Sequence, residues 1–161
     1  MPKKTAGLLL FRETQGGLEV LLVHPGGPFW ARKDDGAWSI PKGLLEENED
    51  ALAAAKREFM EETSGTVPDG EPIRLDPLRQ AGGKIVNAYA MRGDFDPATL
   101  KSNTFLMEWP PKSGKQQEFP EVDRAGWFSM EAAEIKILAS QAPLLRQLLE
   151  RVRNPRARSG S

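Results

Sequence analysis

Residues 43–65 read GLLEENEDALAAAKREFMEETSG, and the spacing inside this stretch decides how the rest of the chain is read. From Glu49 to about Thr63, Ala, Leu, Lys, Arg and Glu dominate, the composition of a helix. At about 100° per residue, Leu52, Ala55, Phe59 and Thr63 share one side, the expected core face. Glu58, Glu61 and Glu62 gather on the opposite half at i, i+3 and i+4, and the same face carries only Ala51 and Ala54 nearer the helix start. Carboxylates so spaced repel by roughly 0.2–0.5 kcal/mol per pair on an exposed helix. A divalent cation among them reverses the sign, because several oxygens then share one ion. On these three residues alone, a solvated acidic face with Lys56 and Arg57 as partners is the plainer reading.

On the N-terminal side, Ala6–Arg12 and Leu18–His24 are two β-rich runs around the turn-prone Thr14-Gln15-Gly16-Gly17, a hairpin signal. Pro25–Gly36 is loop-like, with Gly26-Gly27-Pro28 and Asp34-Asp35-Gly36 as breakers, and Trp38–Ile40 is expected to be a short strand ending at Pro41. On the C-terminal side, Ile73–Gln80, Lys84–Arg92, Thr104–Trp109 and Gly126–Phe128 are strand candidates. Ser129 is placed to cap a helix from about Met130, and Pro143–Val152 forms an amphipathic helix with Leu144, Leu145, Leu148 and Leu149 on one side. Strands joined mostly as hairpins, with helices inserted, predict an α+β fold: a mixed sheet between helices on both faces, an α/β/α sandwich. Residues 1–153 are expected to form one domain and 154–161 a polar, frayed tail.

Composition removes several chemistries. A chain of 161 residues, 39% hydrophobic and 28% charged, has the balance of a folded domain rather than a disordered one. Its formal net charge of −1 gives no basic field to gather nucleic acid, so nucleic acid is not the expected partner. There is no cysteine, which excludes thiolate catalysis and cysteine-bound metals, and His24 is the only histidine. Carboxylates are left as metal ligands, and they suit hard cations such as magnesium, manganese or calcium. No segment reaches the roughly 18 apolar residues needed to cross a bilayer. Met1-Pro2-Lys3-Lys4 leads only into the short apolar run Leu8–Phe11, so the chain reads as cytoplasmic.

The spacing around the three glutamates points further. Gly43, five residues, Glu49, seven residues, then Arg57-Glu58-Phe59-Met60-Glu61-Glu62 resembles the Nudix box, G-x5-E-x7-R-E-U-x-E-E-x-G-U with U a bulky apolar residue. Seven positions match and the last two depart: Ser64 and then Gly65 stand where the pattern has glycine and then an apolar residue. The expectation is a helix whose left-handed cap is shifted by one position. Trp38-Ser39-Ile40-Pro41-Lys42-Gly43 is similar to the W-x-x-P-K-G lead-in of Nudix hydrolases acting on dinucleoside polyphosphates, diphosphoinositol polyphosphates and capped RNA. Pro120-Glu121-Val122-Asp123 followed by Trp127-Phe128 resembles the family's late acidic segment, so the likeness covers nearly the whole chain.

What the resemblance implies is magnesium-dependent hydrolysis of a phosphoanhydride in a nucleoside diphosphate linked to another group, with manganese a possible substitute. Glu58 and Glu62 are the implied ligands, with Glu61 close behind and the Gly43 carbonyl as a backbone ligand. Arg57 is expected to orient the acids by pairing with Glu49 rather than to touch substrate. Glu121 is the first choice of general base, with Glu118 second and Glu61 third; a structural pairing of Glu121 with Arg124 or Lys115 is the alternative. Lys42 is expected to meet a phosphate. Trp30, Arg32 and Lys33, beside Phe29, would stack a base and hold phosphates, or else anchor the loop with solvated neighbours. Trp109, Lys112, Lys115 and Gln116 belong to a second loop placed to flank the same cleft, and Tyr89 is either a stacking residue or core. The favoured substrate is a small phosphorylated metabolite, a dinucleoside polyphosphate such as diadenosine tetraphosphate. An oxidised nucleoside triphosphate and a non-hydrolytic ligand-sensing module are the alternatives. The chain is expected to act as a monomer or homodimer, without a membrane partner.

Overall fold

Two long strands set the frame: Lys4–Thr14 is β1 and Gly17–Pro25 is β2, paired antiparallel across a two-residue turn with Phe11 opposite Val20. The computed structural model describes residues 3–154. Alternation along these strands fixes the layers. Leu8, Leu10 and Leu21 pack with Phe59 and Met91 on one face, whereas Leu9, Phe11, Val20 and Leu22 pack with Ile137, Leu144, Leu145 and Leu148 on the other.

The first face is covered by α1 (Ala51–Thr63); the second by α2 (Met130–Lys136) and α3 (Ala142–Arg153). Leu144, Leu145 and Leu148 are fully buried, a stabilisation of roughly 1.5–3 kcal/mol apiece. The C-terminal leucines therefore dock on the chain's own sheet.

Around the β1–β2 pair the sheet extends in both directions. Its other members are β3 (Lys42–Leu44), β4 (Ile73–Arg74), β5 (Leu78–Arg79), β6 (Ile85–Arg92) and β9 (Val122–Ser129). The order runs β4-β6-β1-β2-β9, with β3 on β1 and β5 on β6; β1 and β6 are parallel and the other pairs antiparallel. The expected α+β sandwich with a mixed sheet is the fold observed. Apart from this sheet, β7 (Thr104–Glu108) and β8 (Gln116–Pro120) form a two-stranded ribbon.

Several boundaries differ from the sequence expectation. Trp38–Ile40 is not a strand: Ser39 makes one bridge to Val23 and Trp38 one to Ile137. Pro41, which has no N–H to donate, follows, and the chain then crosses to pair with β1 as β3. The helix expected from Glu49 begins at Ala51, because the Asp50 side chain caps it by accepting from the Ala53 amide at 3.1 Å. Ile73–Gln80 breaks into two short strands, and Gly126–Phe128 belongs to a strand of eight residues, Val122–Ser129. The second strand of the ribbon, Gln116–Pro120, carried no apolar alternation by which to find it. Apart from Asn154, the tail expected over 154–161 lies outside the described residues.

The left-handed helix cap is not shifted. Ser64 itself takes it, with φ 61° and ψ 16°, and its hydroxyl donates to the Lys101 carbonyl at 2.6 Å. Gly65 is needed for a different reason: a β-carbon there would fall 2.8 Å from the Phe95 ring.

Candidate active site

The acidic residues of α1 lie at the border between the helix and the sheet, not on a free face opposite the core. Ala54, expected beside them on the open side, is fully buried with Ala6 and Ala55 against β1. One turn on, Glu58 is only 8% exposed, and its carboxylate fills the space over Gly43 of β3. A β-carbon at Gly43 would lie 2.1 Å from that carboxylate. Glycine is thus required here by close approach rather than by backbone conformation.

Arg57 organises three of the acids. Its Nε and Nη2 donate to the two oxygens of Glu49 at 2.8 and 2.9 Å. Nη1 reaches Glu58 at 2.9 Å and both oxygens of Glu61 at 3.2 and 3.3 Å, while Nη2 also donates to the Leu44 carbonyl at 3.2 Å. The bond from Arg57 and a second from the Glu46 amide hold Glu49 well below the usual carboxylate range, at about 2. Glu62 goes the other way. Burial, then the charges of Glu58 and Glu121, push its carboxyl up to about 8. Burial likewise raises Glu58, against the pull of Arg57. Lys42, half-buried in β3, is lowered by burial and by the neighbouring charge of Lys84, against Glu62 and Glu58.

This donor set fits a hard divalent cation: the groups offer only oxygen, and two of the carboxylates gain from a neutralising charge. As the side chains stand, no three acidic or imidazole groups among the described residues converge on one point. Arg57 instead occupies one oxygen of Glu58 and both of Glu61.

Beside the acids lies a cleft of about 250 Å³, lined by Pro25 to Trp30 of the first loop, Phe105 and Met107 of β7, and Glu121 at the foot of β9. Trp30, expected to select substrate, and Glu121, expected to be the general base, meet here. Phe29, 61% exposed, stands edge-on to Trp109 with ring centroids 5.6 Å apart, so the second loop touches the first, but Trp109, Lys112, Lys115 and Gln116 do not line this cleft. Arg32 is exposed and does not line it. Lys33 places its ammonium over the Trp30 ring, at 5.5 Å, and its backbone carbonyl against the His24 ring. Tyr89 lies on β6, packed against the α1 side of the sheet beside Ala6 and Leu8, away from the cleft. Glu118, on the ribbon, is hydrogen-bonded by the Thr104 hydroxyl. Arg124 lies against Asp123 and over Trp38 rather than on Glu121.

Sequence reasoning missed Phe105 and Met107, whose place in the cleft depends on the unforeseen ribbon. It also left His24 unassigned, though the ring is fully buried between Asp123 and the Lys33 carbonyl.

A family model described as NUDIX domain matches residues 1–148. No curated protein matches the chain. Among solved structures, the chain is similar to a mutT/nudix family protein from Listeria innocua (21% identity, TM-score 0.64, covering 98% of both chains). It is similar to a C. elegans Ap4A hydrolase in a binary complex (24%, TM-score 0.61, covering 94% of this chain and 98% of that one). A third similar structure is the NUDIX domain of Shewanella oneidensis NrtR complexed with ADP ribose (20%, TM-score 0.63, covering 94% and 89%). At these identities the likeness carries the fold.

Proposed function

The chain belongs to the Nudix family of phosphoanhydride hydrolases, and on that premise we propose that it cleaves a dinucleoside polyphosphate, diadenosine tetraphosphate being the favoured case, with magnesium. Members of this family use divalent cations. One observation carries the substrate reading: Glu121 lines the aromatic cleft while its charge bears on both Glu58 and Glu62. A group bound flat among Phe29, Trp30, Phe105 and Met107 would therefore place its phosphates toward the acidic cluster. Aromatic rings accept any base by stacking, and the apolar lining offers few polar readers of base identity.

In this reading Glu58 and Glu62, with the Gly43 carbonyl, would hold the cation, and Glu61 would join once Arg57 releases it. The bound cation would neutralise phosphate charge and lower the pKa of the attacking water. Arg57, fixed by Glu49, keeps the carboxylates from turning into solvent. Glu121 takes the proton of the water that attacks phosphorus. Lys42, partly desolvated, meets a phosphate oxygen as the chain of phosphates passes β3.

Product identity tests the proposal. One phosphoanhydride broken by water in diadenosine tetraphosphate gives two adenine nucleotides and no inorganic phosphate. Chromatography is expected to show those two products, in equal amounts and only with magnesium. A protein that leaves this substrate intact but converts a nucleoside triphosphate to monophosphate and pyrophosphate would contradict the substrate reading. A folded protein that binds ligand without cleaving anything would contradict hydrolysis itself.

A further inference from the structure

His24 is the only histidine of the chain, and the chemistry above makes no use of it. The ring is fully buried at the end of β2, edge-on to Trp38 with centroids 5.3 Å apart. A buried imidazole is costly unless both nitrogens find partners, and here both do. Nε2 lies 2.6 Å from the Lys33 carbonyl, which can only accept, so Nε2 donates. Nδ1 lies 2.7 Å from the Asp123 carboxylate.

Each partner leads to one wall of the cleft. The Lys33 amide donates to the Trp30 carbonyl at 2.9 Å, so the ring, Lys33 and Trp30 are linked by consecutive hydrogen bonds. Asp123 owes its position to a bulge. His24 pairs with Arg124 and Pro25 with Val122, which leaves Asp123 as the extra residue on β9. Bulges re-aim side chains, and this one sits two residues from Glu121. The Glu121 carbonyl in turn accepts from the Gly26 amide at 2.9 Å, where the first loop begins.

We propose that His24 is a positioning residue that sets both walls of the cleft: through Lys33 it fixes the Trp30 wall that receives a planar base, and through Asp123 it fixes Glu121. The assignment rests on the functional reading above. It separates two jobs between the two ring nitrogens, and the two amide side chains can imitate one nitrogen each. Asn places its amide nitrogen near the position of Nδ1 and Gln near that of Nε2. His24→Asn therefore keeps the Asp123 contact and frees the loop; His24→Gln keeps the loop and frees Asp123.

The experiment compares kcat and KM on diadenosine tetraphosphate for the full-length protein and both variants, alongside peptide-level hydrogen exchange. For His24→Asn, KM is expected to rise about tenfold with kcat retained, the size of a lost base-stacking contact. For His24→Gln, kcat is expected to fall at least about tenfold with KM retained, since small misplacements of a reacting group cost that much or more. Exchange should quicken over 30–33 in the first variant and over 121–124 in the second. If a variant does not fold, Asp123→Ala, altered on the half-exposed side of the pair, is expected to reproduce the kcat loss and the faster exchange over 121–124. A merely well-packed histidine would instead lower the melting temperature while leaving this division absent, with both variants moving the same parameter or neither; that result overturns the proposal. If the wild type cleaves no substrate, the functional reading fails separately, and the exchange pattern alone then supports or overturns the strut.

Discussion

Arg57 grips Glu49 with both prongs of its guanidinium, one on each carboxylate oxygen at 2.8 and 2.9 Å, and from that anchor extends its remaining nitrogen to Glu58 and Glu61. The pair spans the loop before α1 and the middle of the helix, so it ties the β3–α1 connection to the acidic cluster. It also has a pH signature. Glu49 titrates at about 2 in the folded chain against an ordinary value near 4.5, so its contribution to stability is full above the ordinary value. It is lost as pH falls from there towards 2. Glu49→Gln is expected to melt below the wild type at neutral pH, with the gap closing through that window. Thermal melts between pH 2 and 7 read it; a gap that does not narrow in acid would deny the linkage.

Arg57→Lys keeps the charge and loses the fork. Turnover is expected to fall by about 10- to 100-fold, the loss typical when a group orienting first-contact ligands is removed. Steady-state kinetics with magnesium titrated in each case would show whether metal requirement rises as well. Unchanged kinetics would leave Arg57 a surface ion pair and nothing more.

Gly43→Ala brings a methyl group to within 2.1 Å of the Glu58 carboxylate unless something moves. The carboxylate is the part free to yield. A folded protein with turnover reduced by about 100-fold is the expected outcome, measured with a melting curve beside the rate. Activity within twofold of wild type would show that Glu58 does not act from this position.

The box was the most legible part of the chain, because its spacing matches the pattern of a known family. The Ser129 cap was readable from its own segment, whereas the Arg57–Glu49 pairing was expected from that resemblance. What failed depended on partners far along the chain. Trp38–Ile40 looks like a strand, but tertiary pairing leaves it only two bridges. Gln116–Pro120 is polar, and becomes a strand only because Thr104–Glu108 faces it. Glu58 reads as exposed on a helical wheel, yet the missing side chain of Gly43 lets it fold inward. His24 looked idle until the bulge delivered Asp123 to it. Arg32 lies outside the cleft, and Tyr89, read as either a stacking residue or core, packs on the core.

Glu121→Gln preserves shape and removes the proton acceptor. Its kcat is expected to fall by about 100-fold or more with KM little changed, within the span of general-base contributions. Pre-steady-state rates would read the chemical step directly. A neutral result would pass the role to Glu61, since Glu118 is engaged by Thr104.

Lys42 is half-buried beside Lys84, with Glu62 and Glu58 close enough to act on its charge. Lys42→Ala is expected to raise KM about tenfold and leave kcat nearly intact, as loss of binding shared by ground and transition states does. An unchanged KM would remove Lys42 from the phosphate path.

Turnover of a substrate panel with magnesium, wild type against Glu62→Gln, decides whether the chain is a magnesium-dependent hydrolase of dinucleoside polyphosphates. The panel holds dinucleoside tetra- and pentaphosphates, diphosphoinositol polyphosphates, ADP-ribose, ordinary and oxidised nucleoside triphosphates, and capped RNA. Strong turnover of the dinucleoside polyphosphates is expected, lowered by orders of magnitude in a Glu62→Gln protein that still folds. A wild-type protein that folds, binds magnesium and turns over none of them would contradict that reading.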